Sequence, residues 1–199
     1  MQVGLSSPFM TSSAASVVPV PARPQRADAR RNRVRILKAA RAVFADQGFH
    51  SQIDDVAKRA KVGVGTVYRH FPTKEALLDA LVREHFEEIA GYAREALDRE
   101  DPWEGFCELM WRAAEHNAAD LGFCEAIASS DKSAIIEEVG LLQSTGELIA
   151  RAKAQGRMRS DATEDDVAIM MIGASAVMRL TPATWRRYIT LMLDGLRAS

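Results

Sequence analysis

Apolar side chains recur at intervals of three and four from about residue 28 to the end of the chain, and no stretch alternates apolar with polar positions as a strand does. The pattern predicts an all-α fold of about nine helices. The first, over 28–47, carries Ile36, Ala40, Val43 and Phe44 on one stripe and stops at Gly48, a residue suited to the left-handed turn that ends a helix. A second, of about nine residues, follows Ser51 as its cap and turns Ile53, Val56, Ala57 and Ala60 inward. A third, over 63–69, holds Val64 and Val67 and is broken by Phe71-Pro72. A tight turn between two short helices behind a longer one is a helix-turn-helix arrangement.

A long helix is expected from Thr73 to about Arg99, with Leu77, Leu78, Leu81, Phe86, Ile89 and Ala93 as its apolar side. Asp101-Pro102-Trp103-Glu104 is a helix start, with a capping carboxylate, proline in the first turn and an acid beside the helix dipole. Further helices are expected over 121–129, over 133–155, over 164–178 behind the cap Thr163, and over 182–197 with Thr181 as cap and Pro182 at the first position. Residues 1–27, rich in Ser, Ala and Pro and without periodicity, read as a disordered tail. The expected organisation is therefore that tail, a helix-turn-helix domain over 28–72 and a larger helical domain over 73–199.

Composition narrows the class. With 47% apolar and 27% charged residues, and no run near the ~20 apolar residues that span a bilayer, the chain reads as globular and not as an integral membrane protein. Cys107 and Cys124 cannot build a disulfide framework and the first twenty residues lack the features of a secretory signal, so a reducing cytoplasm is the expected compartment. The net charge of −1 conceals an asymmetry. Residues 1–75 carry 13 lysines and arginines against 5 acids, a net +8, and the remainder is −9. A basic first third suggests contact with a polyanion.

The segment from Ser51 to Lys74, SQIDDVAKRAKVGVGTVYRHFPTK, resembles the DNA-binding domain of the tetracycline-repressor (TetR) family of bacterial transcription regulators, over about residues 28–80. The resemblance rests on a tyrosine and an aromatic residue closing the recognition helix, followed by Pro, Thr and Lys. It implies a ligand-responsive regulator, most simply a repressor, that binds a palindromic double-stranded operator as a homodimer. The DNA-binding set it implies is Ser51, Lys61, Val64, Gly65, Thr66, Tyr68, Arg69, His70 and Lys74. Physical chemistry is consistent with parts of that set. Lys74 stands in the first turn of a helix, where the dipole repels cations unless an anion lies nearby. Arg69 is able to read guanine bidentately. The chain departs from the family at Lys61, where a glycine is usual because the turn is left-handed, at a cost of roughly 1 kcal/mol for any other residue.

After residue 100, aromatic and sulfur side chains crowd together. Phe86, Cys107, Met110, Trp111, Phe123 and Met171 either fill a core or line a pocket, with Glu125 or His116 near its mouth, and in the family such a pocket takes a small effector. The last two helices read as a dimer interface formed by Gly173, Ala174, Val177, Trp185, Ile189, Met192, Leu193 and Leu196. Chemistry of other kinds is weakly signalled. Gly63-Val64-Gly65 lacks the third glycine and preceding strand of a dinucleotide site, and His50, His70, His85 and His116 are scattered, so each reads as a surface or half-buried histidine. No catalytic residue, metal or cofactor is expected. A DNA-binding regulator governed by a protein partner or by no effector, and a helical enzyme, are the alternatives.

Overall fold

The computed structural model describes residues 24–48, 50–128 and 131–198, and the expected tail over 1–27 lies outside them except for its last four residues, which are helical. Ten helices are present among the described residues: α1 (Pro24–Gln47), α2 (Ile53–Ala60), α3 (Val64–His70), α4 (Lys74–Leu97), α5 (Pro102–Ala119), α6 (Leu121–Ala126), α7 (Ser133–Glu138), α8 (Leu141–Ala154), α9 (Glu164–Leu180) and α10 (Trp185–Leu196). The only extended pairing among these residues is an isolated antiparallel bridge between Met158 and Arg197. Among the described residues no helix is long and apolar enough to cross a membrane.

Several helix ends follow from local chemistry. Asp101 Oδ1 accepts from the backbone N–H groups of Trp103 and Glu104 at 2.8 and 3.3 Å, and Thr163 and Asp166 form a reciprocal capping box at the start of α9. Three boundaries differ from the periodicity. The helix expected over 133–155 is two helices, because Gly140 adopts φ +75° and turns the chain between α7 and α8. Thr181 closes α9, its N–H and hydroxyl both donating to the Val177 carbonyl at 2.8 and 3.2 Å, so α10 starts only at Trp185, after a turn through Pro182. Helix α2 starts one residue after Gln52, whose N–H donates to Asp55 Oδ2 at 3.3 Å, while Ser51 instead donates its hydroxyl to Gly48.

Two cores divide the molecule. The first joins α1, α2, α3 and the first half of α4 through Ile36, Phe44, Val56, Val67, Leu77 and Leu81, and it is completed by Phe123 of α6 and by Ile127. The second joins the later half of α4 to α5, α8, α9 and α10 through Phe106, Met110, Leu148, Met178 and Ile189. Helix α4 runs through both, and α6 lies on α1 so closely that a Cβ on Gly122 would stand 3.0 Å from the Ala45 carbonyl oxygen. The position therefore favours a residue without a side chain.

Candidate nucleic-acid interface and cavity

Lys61 sits in the left-handed conformation, φ 55° and ψ 46°, and is the only non-glycine residue with positive φ among those described. The turn closes as a Schellman motif, with Val62 N–H on the Ala57 carbonyl at 3.1 Å and Lys61 N–H on Lys58 at 3.2 Å. Two hydrogen bonds to otherwise orphaned carbonyls offset part of the conformational cost of lysine there. This turn sets α3 against α2 through the fully buried Val67.

Anchoring at Val67 leaves the opposite side of α3 in solvent. Gly65, Tyr68 and Arg69 are all exposed and share one face at helical spacing, with Lys61 exposed at the preceding turn. Gly65 has open space where a Cβ would be. Val64, Thr66 and His70 are half-buried beside this face, and burial together with Arg69 and Arg33 holds the His70 imidazole below its usual range. Lys74, at the start of α4, is half-buried with its ammonium 6.0 Å from the centre of the Phe44 ring, behind the Thr73 cap. Ser51 does not join this face: it is 5% exposed and its hydroxyl is taken by Gly48, which removes it from the surface set expected.

Between α4, α5, α6, α8 and α9 lies a cavity of about 830 Å³. Of the six residues expected to line such a space, Phe86, Met110 and Met171 do so. Cys107, Trp111 and Phe123 do not. Cys107 and Trp111 lie on the side of α5 turned to α10, where Trp111 meets Trp185 at 6.2 Å, and Phe123 is fully buried in the first core with Arg41 4.7 Å above its ring. Burial pushes the Cys107 thiol up to about 11 and the Cys124 thiol to about 12, as for inert, desolvated cysteines.

The cavity wall also contains groups outside the six expected to line it. His85, 2% exposed, departs from the surface or half-buried reading, and Asn117, Cys124 and Lys132 accompany it. Periodicity held the signal: His85 falls on the stripe Leu81, His85, Ile89, and Asn117 on the stripe Met110, Ala113, Asn117. Burial, reinforced by His116, Arg41 and Lys132, lowers the His85 pKa to about 3. His116 stands directly behind it, its Nε2 3.0 Å from His85 Nδ1. Glu125 is on the wall as expected, 3.6 Å from Arg179 of α9.

The outer face of the last two helices is not the one anticipated. Ala174, Trp185, Ile189, Met192, Leu193 and Leu196 are buried in the chain's own second core, and only Gly173 and Val177 are partly open. Gly173 lets the Tyr188 hydroxyl of α10 approach α9 where a Cβ would collide with it. The apolar surface left exposed is Ile169 (66%), Ile172 (71%) and Leu180 (72%) on α9, with Leu191 on α10, and Ile172 also stands at the edge of the cavity. The same apolar-all-round composition of α9 supplies both faces, and the spacing alone does not say which one turns inward.

Comparison with known proteins adds the lineage. Residues 36–81 match the model for bacterial regulatory proteins of the tetR family, and residues 101–198 match the C-terminal domain of SbtR-like transcriptional regulators. The chain is 38% identical over 72 residues to the HTH-type transcriptional regulator UidR of Escherichia coli, a match covering 36% of this chain and 37% of that protein. It is 34% identical over 140 residues to the HTH-type transcriptional repressor KstR of Mycolicibacterium smegmatis, covering 66% of this chain and 68% of the relative. The crystal structure of a TetR transcription regulatory protein from Mycobacterium vanbaalenii is 36% identical, with a TM-score of 0.59 over 88% of this chain and 100% of that one.

Proposed function

The chain belongs to the TetR family of bacterial regulatory proteins, and from that membership we propose that it is a transcriptional repressor, bound to a palindromic operator as a homodimer and released when a small apolar or amphipathic molecule enters the cavity. The activity is binding, with no cofactor, and its compartment is the cytoplasm, where the DNA is. One observation carries the reading: α6 belongs to both ends of the process. Leu121, Cys124 and Glu125 form part of the cavity wall, while Phe123 of the same helix is fully buried in the core around α1. A ligand that shifts α6 therefore acts on the body that carries α3.

The energy of release is the difference in effector affinity between the DNA-binding arrangement and another one. On the DNA side, the exposed face of α3 enters the major groove. Arg69 reads a base edge, Gly65 permits close approach, and Tyr68 and Lys74 hold phosphate. On the other side, Ile169, Ile172, Leu180 and Leu191 are an apolar stripe suited to a second copy, and a two-fold axis there matches a palindrome.

Selection of bound DNA from a random pool tests the first half. The expected product is a palindrome with half-sites about 34–36 Å apart, or a multiple of that spacing. Recovery of unselected sequence at physiological salt would overturn the reading. For the second half, Met110→Trp fills the cavity from α5. The variant is expected to keep operator affinity and to lose release by any compound that frees the wild-type protein. Release surviving unchanged in that variant would put the effector elsewhere.

A further inference from the structure

The polar groups of the cavity are gathered in one place. Asn117 stands beside His85 and acts on its imidazole as a hydrogen-bond partner, the Cys124 Sγ lies 3.9 Å from Asn117 Oδ1, and Lys132 Nζ donates to the Ile127 and Ala128 carbonyls at 2.9 and 3.3 Å. The charged groups that act on His85 are Arg41 and Lys132, both cationic, with His116 beside them. The acids of the wall are placed otherwise: Glu125 faces Arg179, and Glu164 lies against Gly146 of α8. The potential around His85 is therefore positive. Much of the remaining wall is hydrocarbon and thioether, from Phe86, Ile89, Met110 and Met171.

We propose that the cavity takes an amphipathic anion, an apolar chain ended by a carboxylate, with the carboxylate seated on His85, Asn117 and Lys132. The inference rests on the cavity being the effector site. A buried carboxylate needs several donors and a counter-charge, and this cluster offers an imidazole, an amide and an ammonium.

His116 gives the seat a proton requirement. Its Nε2 meets His85 Nδ1 at 3.0 Å and its Nδ1 lies 3.6 Å from Glu88 Oε1, which also accepts from the Tyr92 hydroxyl at 2.8 Å. When both rings are neutral and His116 turns Nδ1–H to Glu88, its Nε2 accepts from His85 Nδ1–H. His85 Nε2 is then a lone pair that accepts from the Asn117 amide, and it offers an anion no proton. One added proton reverses the chain. His116 becomes an imidazolium donating to Glu88 and to His85 Nδ1, and His85 Nε2 turns from acceptor to donor, so that its N–H and the released amide N–H of Asn117 both face the carboxylate. The balance is one proton drawn from solvent for each anion bound, with the new cation flanked by Glu88 outside and the ligand inside. Without a ligand, burial holds both rings neutral, Arg41 opposes their charge, and Asp120, which favours it on His116, is hydrogen-bonded to Arg41.

Calorimetric titration of the full chain with decanoate, 1-decanol and decyltrimethylammonium tests this, at pH 6 and 8 and in buffers of different ionisation enthalpy. Decanoate is expected to bind about ten-fold or more tightly than the other two, to take up a proton, and to bind more tightly at pH 6. Lys132→Gln and His85→Gln are each expected to lose most of that preference. Equal or tighter binding of decanol or the ammonium overturns the anion, while the cavity stands as an effector site. Decanoate binding without proton uptake, or with its preference intact in both variants, also overturns the proposed seat. If none of the three binds, the neutral dye Nile red separates the cases: fluorescence enhancement that is lost in Met110→Trp leaves the cavity standing and overturns only the anion, and no enhancement overturns both.

Discussion

Arg41 and Asp120, 79 positions apart in sequence, are joined by a hydrogen-bonded ion pair of 2.5 Å that is largely withdrawn from solvent. Arg41 lies on α1, and Asp120 stands between α5 and α6, one residue before a helix that walls the cavity. The same guanidinium covers the ring of Phe123. Arg41 thus ties the register of α6 to that of α1 by charge on one side and by an aromatic face on the other.

Breaking this tie is expected to uncouple the two ends of the molecule. In a double-mutant cycle of Arg41→Gln and Asp120→Asn, urea unfolding should give a coupling energy of about 1–2 kcal/mol. The variants should also need more effector for operator release. A coupling near zero would make the pair a bystander.

Lys61→Gly is expected to stabilise the fold by up to roughly 1 kcal/mol, because the left-handed position costs lysine more than glycine, less the unfolded-state entropy glycine adds. Operator affinity should fall slightly with the lost cation. Thermal melting and anisotropy on one preparation measure both, and a lower melting temperature would contradict the steric account.

Lys74→Ala and Tyr68→Ala are expected to weaken all DNA sequences alike, because phosphate contacts position the protein without reading bases. Removing Lys74 should also reduce the magnitude of the salt slope, log affinity against log salt, by about 1. Arg69→Ala should instead relax preference at one base position. Affinity unchanged in the first two variants would remove the proposed phosphate contacts.

Ile169→Lys places a charge in the exposed α9 stripe and leaves both cores and the cavity wall untouched. Sedimentation should show a folded monomer with much weaker operator binding. A dimer that persists would move the interface elsewhere.

Stability is expected to fall on acidification, with a defined sign. His85 has a folded-state pKa of about 3 against 6.5 unfolded, so the unfolded chain binds the extra proton between these values. The contribution is fully present above pH 6.5 and is lost as pH falls toward 3. Between pH 7 and pH 5 the loss from this residue is about 2 kcal/mol. His85→Gln should flatten the melting temperature over that interval. An unchanged slope would mean that the ring is protonated in the native state.

The features legible in the sequence were those written in local chemistry. Asp101-Pro102 and Thr163 with its acids announce helix starts through their own side chains, and the run from Ser51 to Lys74 identified the helix-turn-helix in one stretch. Periodicity also picked out Ile36, Ala40, Val43 and Phe44 as a buried stripe. Features decided between helices were less legible. On α5, Cys107 and Trp111 lie one face away from Met110 and Ala113, and only the position of α10 determines which face meets the cavity. On α9, core and outer stripe are equally apolar. Gly140 breaks a continuous helical pattern by a dihedral angle that composition does not reveal.

Phe123 and Ile127 close the core of α1 to α4 from outside the helix-turn-helix segment. A fragment ending at residue 72 would lack these two side chains as well as Leu77 and Leu81 of α4, and is expected to be less stable than the same residues in the full chain. Loosening of the region around α6 is then expected to loosen the body that carries α3, and heat or a damaging substitution near the cavity should lower operator occupancy simply by shrinking the pool of folded molecules. Such a lesion imitates an inducer in the cell without resembling one in structure.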